Sequence, residues 1–427
     1  MSQEVSNELA NQVVAMAKAA RAASYPIAAL PRDRKDAVLH RIAELLNERR
    51  SEIREANQKD IDAGQAQGLS TAMLDRLRLN DARIDQMMEG LRQVAALPDP
   101  VGEEIERLQP PQGLDIRKVR VPIGVIGIIY ESRPNVTIDC AALCLKSGNA
   151  CILRGGKEAF HSNQVLAALI RDALLDLNLP ADAVALIPTT DRAAMQVLLK
   201  QDAFIHCIIP RGGHALIRFV VENSSIPVIK HYTGVCSLYV DQKANLDQSV
   251  QIAENAKCQR PGVCNAIENL ILHREVLESH GLAIAKRLVE RGVELRVDAP
   301  LQSLLQSAGL PCKPVCEADY AEEYLDLILS VKVVDSVEQA IHFINTYGSG
   351  HSDAIVTEDA KVAEQFLNGV DGATVYWNAS TRFTDGFEFG FGAEIGISTD
   401  RLHARGPMGL RELCTYKFLI FGKGEIR

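Results

Sequence analysis

A cysteine in a Pro-Gly loop is the residue of this sequence best suited to covalent chemistry. Cys264 lies in the stretch Asn255 to Glu268, directly before an apolar run typical of a strand. A thiol attacks as its thiolate, which nearby cations and backbone N–H groups stabilise. Lys257 and Arg260 precede Cys264, and Pro261-Gly262 allows the backbone to turn closely around it. Many cysteines are small buried apolar residues, so the loop alone leaves both a nucleophilic and a packing role open.

A second loop has the composition of an anion site. Pro210-Arg211-Gly212-Gly213 follows a predicted strand and opens a predicted helix, so helix N–H groups could bind a phosphate there. An ordinary glycine-containing turn explains the same residues equally well. The Gly-x-Gly-x-x-Gly fingerprint is missing, because Gly124 and Gly127 are wrongly spaced and lie inside an apolar run.

The other cysteines do not indicate a metal site. Ten cysteines are scattered from Cys140 to Cys414 in apolar contexts, which predicts reduced thiols rather than a disulfide framework. Cys140 and Cys144, and likewise Cys312 and Cys316, lack the spacing and the neighbouring histidines of a zinc site. We predict that no metal is bound.

Composition limits the class of protein and its partners. The chain has 427 residues, 47% hydrophobic and 24% charged, which predicts a globular protein of two or three domains. A net charge of -9 disfavours a nucleic-acid partner. The sequence shows neither a run long enough to span a bilayer nor a signal-peptide pattern, so we expect no membrane partner and a cytoplasmic location.

The periodicity of apolar residues predicts the elements that position these loops. Residues 9 to 97 have a helical period, and residues 105 to 121 read as an exposed hairpin with a turn at Pro110-Pro111 and Gly113. Strands and helices then alternate from Val121 to Lys230, beginning with an apolar strand over Val121 to Tyr130 and ending with one over Pro227 to Lys230. They alternate again from Leu246 to Asn378, which predicts two parallel sheets flanked by helices. The second of these carries Cys264. Beyond it, a polar, glycine-rich segment is expected to line a site, before a final strand from Thr415 to Phe421.

Several long motifs in order carry a resemblance to a known family. They are Ile123 to Val136 (IGVIGIIYESRPNV), Leu145 to Glu158 (LKSGNACILRGGKE), the Cys264 loop, Asn378 to Asp385 (NASTRFTD) and Leu402 to Gly409 (LHARGPMG). With these motifs the chain resembles the gamma-glutamyl phosphate reductase family, a branch of the aldehyde dehydrogenase superfamily. The resemblance extends over nearly the whole chain.

The resemblance implies an α/β fold with two parallel-sheet αβα domains and a β oligomerisation element. The cofactor-binding domain would comprise residues 1–103 and 122–243, and the catalytic domain residues 244–384. Residues 104–121 and 400–427 would form the oligomerisation element. Two exposed strand edges in that element predict a homo-oligomer.

The resemblance also implies roles for individual residues. Cys264 occupies the position of the nucleophile, and Asn135 that of the asparagine whose side chain holds the oxyanion. Arg154 falls where a lysine usually contacts the adenosine ribose, and Glu323 approximately where a glutamate holds the nicotinamide ribose. The anion loop of Arg211, Gly212 and Gly213 is added as a candidate cofactor contact.

The implied activity is reduction of L-glutamyl 5-phosphate to L-glutamate 5-semialdehyde with release of phosphate, in proline biosynthesis. His231 stands where hydrolytic aldehyde dehydrogenases carry the glutamate that activates water, which disfavours the alternative of a hydrolytic NAD(P)-dependent enzyme. A non-catalytic protein on this fold is a further alternative, which the presence of Cys264 and Asn135 disfavours.

Charged residues complete the predicted site. Arg154 and Lys157, with no acidic residue between them, predict NADPH as the cofactor. Arg260, Arg382 and Arg405 are candidates for the substrate phosphate and α-carboxylate, although each could equally make a structural ion pair. A transient contact with glutamate 5-kinase is expected only because the acyl phosphate is labile.

Overall fold

The N-terminal part of the chain is helical, as its periodicity predicts. The structure is a computed structural model that describes residues 7–111, 113–230 and 233–426. Asn80 caps the last helix of this part by accepting a hydrogen bond from the Arg83 N–H, which satisfies one of the unpaired donors of that end. The helices are α1 (Asn7–Ala28), α2 (Arg32–Glu48), α3 (Arg50–Ala66), α4 (Thr71–Leu77) and α5 (Asp81–Ala96).

Strands and helices alternate through most of the remaining chain, which confirms the predicted α/β class. The elements are β1 (Glu104–Leu108), β2 (Asp115–Pro122), β3 (Val125–Tyr130), α6 (Asn135–Lys146), β4 (Ala150–Arg154), α7 (Phe160–Asp176), β5 (Val184–Leu186), α8 (Arg192–Leu198), β6 (Cys207–Arg211), α9 (His214–Asn223), β7 (Cys236–Val240), α10 (Leu246–Cys258), β8 (Ile267–His273), α11 (Leu282–Glu290), β9 (Glu294–Val297), α12 (Ala299–Ser307), β10 (Lys313–Pro314), β11 (Ile328–Val334), α13 (Val337–Tyr347), β12 (Ser352–Val356), α14 (Ala360–Gly369), β13 (Thr374–Trp377), β14 (Ile397–Ser398), β15 (Gly406–Pro407) and β16 (Cys414–Phe421).

The chain divides into two compact units. The first comprises Met1–Lys230, Gly390–Gly396 and Met408–Arg427, and the second comprises His231–Phe389 and Ile397–Pro407. In the first unit a four-stranded parallel sheet has the order β5-β4-β3-β6. The chain therefore runs from β3 through β4 to β5 and then crosses to the other side of β3. Ligands of such sheets bind at the carboxyl ends of the strands beside this reversal.

The apolar run from Val121 to Tyr130 forms two strands rather than the single one that its composition predicts. β2 ends at Pro122 and β3 begins at Val125 in a different sheet. Between them Gly124 has a φ of 124°, and a Cβ there would lie 2.7 Å from the His206 ring. Only glycine adopts this turn without strain, so Gly124 allows the chain to pass from one sheet to the other within two residues.

The second unit is built on a seven-stranded parallel sheet with the order β10-β9-β11-β8-β7-β12-β13. Buried aliphatic side chains fill the space between this sheet and helices that include α10, α11 and α12. A second cluster, which includes Phe343 and Phe366, packs α13 and α14 against the sheet. Both faces are therefore covered, as is usual for a parallel sheet.

The boundaries of the units differ in part from those expected. Residues 236–240 were expected within the first domain, but they form β7, which pairs with β8 and β12 of the second sheet. Pro227–Lys230, expected as a strand, makes only the isolated bridge between Ile208 and Val228. Within residues 400–427, only β16 joins the sheet of β1 and β2, while β15 pairs with β14 in the second unit.

Among the residues that the structure describes, we find no helix with the length and apolar composition of a bilayer-crossing segment.

The predicted hairpin and the final strand form one three-stranded antiparallel sheet. β2 lies in the middle, and β1 and β16 are its two edges. Tyr416, Phe418 and Ile420 are all about half exposed or more, and they project from the same face of β16 because side chains alternate along a strand. Exposed apolar side chains on an edge strand favour association with another copy.

We therefore expect a homo-oligomer that depends on this face of β16. Phe418→Glu should lower the molecular mass in solution, because a buried carboxylate opposes association. Lys417→Glu is the matched control, since Lys417 lies on the opposite face of the same strand. Sedimentation equilibrium measures both variants. An unchanged mass for Phe418→Glu would contradict the prediction.

Candidate active site

Cys264 lies in the loop that connects α10 to β8. This catalytic loop comprises residues 259–266 and follows Cys258, the last residue of α10. The Cys264 side chain is half-buried, whereas that of Cys236 on the neighbouring β7 is fully buried. The Cys236 thiol donates a weak hydrogen bond of 3.1 Å to the Cys264 carbonyl oxygen. The thiol of the candidate nucleophile is thus partly accessible, while its backbone carbonyl is held by the Cys236 thiol.

Gly234 is the glycine that makes the catalytic loop possible. A Cβ at Gly234 would overlap the backbone carbonyl of Cys264, so only glycine allows this approach. The Gly234 N–H donates a 2.8 Å hydrogen bond to the Glu323 carboxylate. At Gly262 a Cβ would lie 3.6 Å from the Leu325 carbonyl, an ordinary contact distance. The close approach expected of Pro261-Gly262 is therefore made by Gly234.

The ammonium of Lys257 forms a buried ion pair. Its Nζ lies 2.6 Å from Glu268 Oε2, and both side chains are inaccessible to solvent. Burial lowers the pKa of Lys257 and raises the pKa of Glu268, since both charges leave water. The Lys257 ammonium was expected to stabilise the Cys264 thiolate, but it forms an ion pair with Glu268 instead.

Two arginines that the sequence proposed for substrate contact belong to this loop region. Arg382 donates a 2.8 Å hydrogen bond from Nε to Gln259 Oε1, and its Nη1 donates to Asn265 Oδ1. Burial and the neighbouring Arg260 lower the pKa of Arg382, while Cys264 and Asp385 act in the opposite direction. Arg260 itself is exposed. The Arg382 guanidinium is therefore placed in the electrostatic surroundings of Cys264, and Arg260 is a charged neighbour of Arg382.

The segment around Arg382 is fastened to the catalytic loop through Asn265. Asn265 Nδ2 donates to the Thr384 carbonyl over 2.8 Å, and Thr381 Oγ1 donates to the Asn265 carbonyl over 2.7 Å. Asn265 is buried, so these bonds are shielded from water. Gln259 and Asn265 were not predicted as site residues, although their positions on either side of Cys264 in the loop could have indicated them.

Arg405 makes the structural ion pair that the sequence left open. Its Nη1 lies 2.9 Å from Asp371 Oδ1, and its Nη2 donates to the Asp371 carbonyl over 2.8 Å. Arg401 pairs with the same carboxylate. These residues line a cavity of about 230 Å³ near the C-terminal end of α13, where the helix carbonyls add negative charge. This environment does not favour the anion that Arg405 was expected to bind.

In the first unit, Asn135 is the first residue of α6. Its Nδ2 donates a 2.8 Å hydrogen bond to Asp139 Oδ2, one turn along the same helix. The Asp139 carboxylate is exposed to solvent. This bond orients the Asn135 amide with its nitrogen toward Asp139. Asp139 is a further residue that sequence analysis missed.

Arg154 ends β4, beside an open cavity in the first unit. Its Nη2 donates to the Thr190 carbonyl over 3.1 Å, whereas its buried Nε has no hydrogen-bond partner among the described residues. Burial lowers the pKa of this guanidinium. The adjacent cavity, of about 320 Å³, is lined by residues that include Lys157, Glu158 and Thr190. This buried donor is therefore left unsatisfied by the described part of the chain.

A carboxylate of the protein itself binds to the predicted anion loop at the end of β6. The Gly213 N–H donates a 2.8 Å hydrogen bond to Glu131 Oε2. A Cβ at Gly212 would overlap the same carboxylate, and the Arg211 guanidinium packs against Gly396. A carboxylate therefore already lies at the helix N-terminus, where Arg211, Gly212 and Gly213 were predicted to receive a cofactor phosphate.

Comparisons with known proteins agree with the architecture. The sequence profile described as the aldehyde dehydrogenase family matches residues 2–309 and 319–416. The gamma-glutamyl phosphate reductase of Opitutus terrae is 58% identical over 424 residues, which cover 99% of this chain and 100% of that protein. The crystal structure of the gamma-glutamyl phosphate reductase of Thermotoga maritima superimposes with a TM-score of 0.95 at 44% identity, covering 97% of this chain and 99% of the other.

The chain belongs to the aldehyde dehydrogenase family. A glyceraldehyde-3-phosphate dehydrogenase of Methanocaldococcus jannaschii, solved with NADP, has the same fold, with a TM-score of 0.68 at 16% identity and coverage of 99% of this chain and 96% of the other. Enzymes of this family use a nicotinamide cofactor. The carboxyl ends of β4 and β5, with the unsatisfied Arg154 Nε and the cavity beside it, fit a polar group of such a cofactor.

The predicted residues are divided between the two units. Cys264, Arg260, Arg382 and Glu323 lie in the second unit, and Asn135 lies in the first with Arg154, Lys157 and Arg211. His231, which the resemblance aligns with the water-activating glutamate of hydrolytic aldehyde dehydrogenases, lies outside the described residues. Within the described chain no group of three or more His, Cys, Asp or Glu side chains is arranged to hold a metal ion.

Gly234 gives a direct test of the catalytic-loop geometry. Gly234→Ala should displace the Cys264 carbonyl and lower activity roughly a hundredfold, because small misplacements of a reacting group have effects of this size. Gly262→Ala is the matched control and should stay within about twofold, since its Cβ meets only an ordinary contact. The measurement is kcat/KM for both variants. Equal activities would contradict the proposed constraint at Gly234.

Proposed function

We propose that this chain reduces L-glutamyl 5-phosphate to L-glutamate 5-semialdehyde, releasing inorganic phosphate, as a step of proline synthesis from glutamate. The observation that carries the proposal is the half-buried Cys264 with the Arg382 guanidinium fixed beside its loop. The relative from Opitutus terrae, identical at 58% of positions over its full length, bears the name gamma-glutamyl phosphate reductase. A reductase thus explains both the residues and the similarity.

The covalent step uses Cys264. Its thiolate attacks the acyl carbon, the carbon–oxygen bond to phosphate breaks, and inorganic phosphate leaves with the electron pair. The acyl group then remains on Cys264 as a thioester. Asn135 is assigned donation to the acyl oxygen, a role taken from the resemblance. Its amide is held by Asp139 with one N–H, which leaves the second N–H of the same nitrogen available.

The leaving phosphate is a dianion, for which Arg260 and Arg382 are the proposed partners. Both lie in the second unit, Arg260 within the loop of Cys264 and Arg382 hydrogen-bonded to that loop, and among the described residues no carboxylate forms a salt bridge with either, unlike Arg405 with Asp371. Arginine offers several N–H groups in a fixed plane, which suits bidentate contact with phosphate oxygens. Arg405 is therefore left out of the proposed substrate contacts.

The cofactor proposed is NADPH. When bound, it supplies the hydride that reduces the thioester, and scission of the carbon–sulfur bond returns Cys264 as a thiolate. Arg154 and Lys157 are assigned to the phosphate that distinguishes NADPH from NADH, because Lys157 lines the cavity and Arg154, at the end of β4, donates to Thr190, which also lines it. Glu323 is a further proposed cofactor contact, although its carboxylate already accepts the Gly234 N–H.

The hydrolytic alternative makes a different demand on the site. A hydrolytic enzyme needs a carboxylate to activate water, and the sequence has His231 at the expected position. Aldehyde oxidation by a reductase running backwards requires phosphate or arsenate, whereas hydrolytic oxidation requires neither. A transient contact with glutamate 5-kinase stays a prediction, which competition between active and inactive reductase for the kinase product would measure.

Replacement of Cys264 tests both the function and the nucleophile. Cys264→Ser should abolish phosphate-dependent oxidation of the semialdehyde, since a hydroxyl without a dedicated base is a poor nucleophile at neutral pH. Cys258→Ser, six positions earlier, is the control and should keep activity close to that of the wild type. Loss of activity in Cys258→Ser with retention in Cys264→Ser would show that the wrong thiol was chosen. Full oxidation without phosphate would favour the hydrolytic enzyme.

Cofactor preference tests the assignment of Arg154 and Lys157. The double variant Arg154→Ala, Lys157→Ala should reduce kcat/KM for NADPH roughly tenfold to a hundredfold, with little change for NADH. The lower figure applies if salt screens the exposed Lys157. Arg171→Ala, which removes an exposed arginine paired with Asp182 in the same unit, is the control. Equal losses with both cofactors would assign the pair to the shared part of the dinucleotide or to the fold.

A further inference from the structure

The cation expected beside the nucleophile comes from a distant part of the chain. Lys257 precedes Cys264 closely in sequence, but its ammonium is buried in the ion pair with Glu268. A cation paired at 2.6 Å with a carboxylate has little net field at other groups. Arg382, more than a hundred residues later, instead has its guanidinium in the surroundings of Cys264.

The position of Arg382 is fixed by neutral groups. Its Nε donates to Gln259 Oε1, and its Nη1 donates to Asn265 Oδ1, so both acceptors are amide oxygens of the catalytic loop. These two residues stand on either side of Cys264 in that loop. Amide oxygens orient a guanidinium without cancelling its charge, in contrast to the carboxylates that hold Lys257 and Arg405. Half-burial then limits the screening of that charge by water.

We propose that Arg382 is the positioning residue that holds Cys264 as a thiolate. The inference deepens the proposed function, on which it rests only in taking Cys264 as the nucleophile. A cation near a thiol stabilises the thiolate over the neutral form and so raises the reactive fraction at neutral pH. The same guanidinium would then meet the leaving phosphate after the sulfur becomes neutral in the thioester.

Other charged groups surround Arg382 and must be weighed. Arg260 adds a second positive charge, whereas Asp385 opposes it, and the buried Cys236 also faces the guanidinium. Glu323 brings a carboxylate to Gly234, whose backbone lies against Cys264. Asp385 and Glu323 work against a thiolate, so Arg382 is the charge whose removal should be felt most. Arg260 is exposed and is more strongly screened by solvent.

The pH dependence of alkylation tests the inference without substrate or cofactor. The full-length protein is treated with iodoacetamide from pH 5 to 10, and modification of Cys264 is followed by mass spectrometry. The exposed Cys316 of the same sample serves as an internal reference. The midpoint for Cys264 in the wild type should lie below about 8.5, the value of an unperturbed thiol. Arg382→Gln should raise it by about one unit or more, slowing alkylation roughly tenfold at lower pH.

Two further variants separate charge from loop structure. Arg382→Lys keeps the charge and loses the second donor, so its midpoint should lie between those of the wild type and Arg382→Gln. Arg274→Gln removes an exposed arginine paired with Asp335 in the same unit and should leave the Cys264 midpoint unchanged. If Arg382→Gln changes the alkylation rate equally at every pH, Arg382 only holds the loop in place and the inference fails.

The result is separable from the proposed function. A wild-type midpoint near that of Cys316, unchanged in Arg382→Gln, overturns the inference even if the protein reduces the acyl phosphate. A lowered wild-type midpoint that rises in Arg382→Gln supports the inference, whether or not the protein reduces the acyl phosphate. Failure to reduce the acyl phosphate would overturn the proposed function alone.

Discussion

The ion pair between Lys257 and Glu268 is the constraint on which the catalytic loop depends. Lys257 lies in the last turn of α10 and Glu268 at the start of β8, so the pair joins the two ends of the loop that holds Cys264. Burying two charges costs several kcal/mol for each ion, which only a short, well-shielded contact offsets. The Leu325 N–H also donates to Glu268 over 3.3 Å, adding a third segment. The distance between the two ends of the loop is thereby fixed.

Once its ends are fixed, the loop receives its chemical character from elsewhere in the second unit. Gly234 permits the close approach of another backbone, and Asn265 fastens the segment that carries Arg382. Because Lys257 is paired internally, the loop has no local ammonium to offer a thiolate, and a guanidinium from residue 382 takes that place. Local sequence thus supplies the thiol and the turn, and tertiary structure supplies the charge.

The sequence predicted the alternation of helices and strands because periodicity is local, but it did not predict which charges meet. The sequence does not show that β7 belongs to the second sheet, and it does not show that the run from Val121 to Tyr130 is divided, because Gly124 lies among apolar neighbours. Glu131 and Gly213 are 82 positions apart, and Arg405 and Asp371 are 34 apart. No spacing rule joins such pairs, so an anion site and a substrate arginine were predicted where carboxylates already lie.

The motif from Leu145 to Glu158 shows why a long resemblance does not by itself assign chemistry. Lys146 is buried and donates to Asp36 and to the Ala95 carbonyl, and Asn149 joins the Gly124 N–H to the Leu413 carbonyl. These polar groups end on partners within the first unit and hold its elements together. Arg154, only a few residues later, keeps a buried Nε without a partner among the described residues. Within one motif, then, the side chains that hold the scaffold have satisfied hydrogen bonds, whereas Arg154 keeps an unused donor for the cofactor contact that we propose for it.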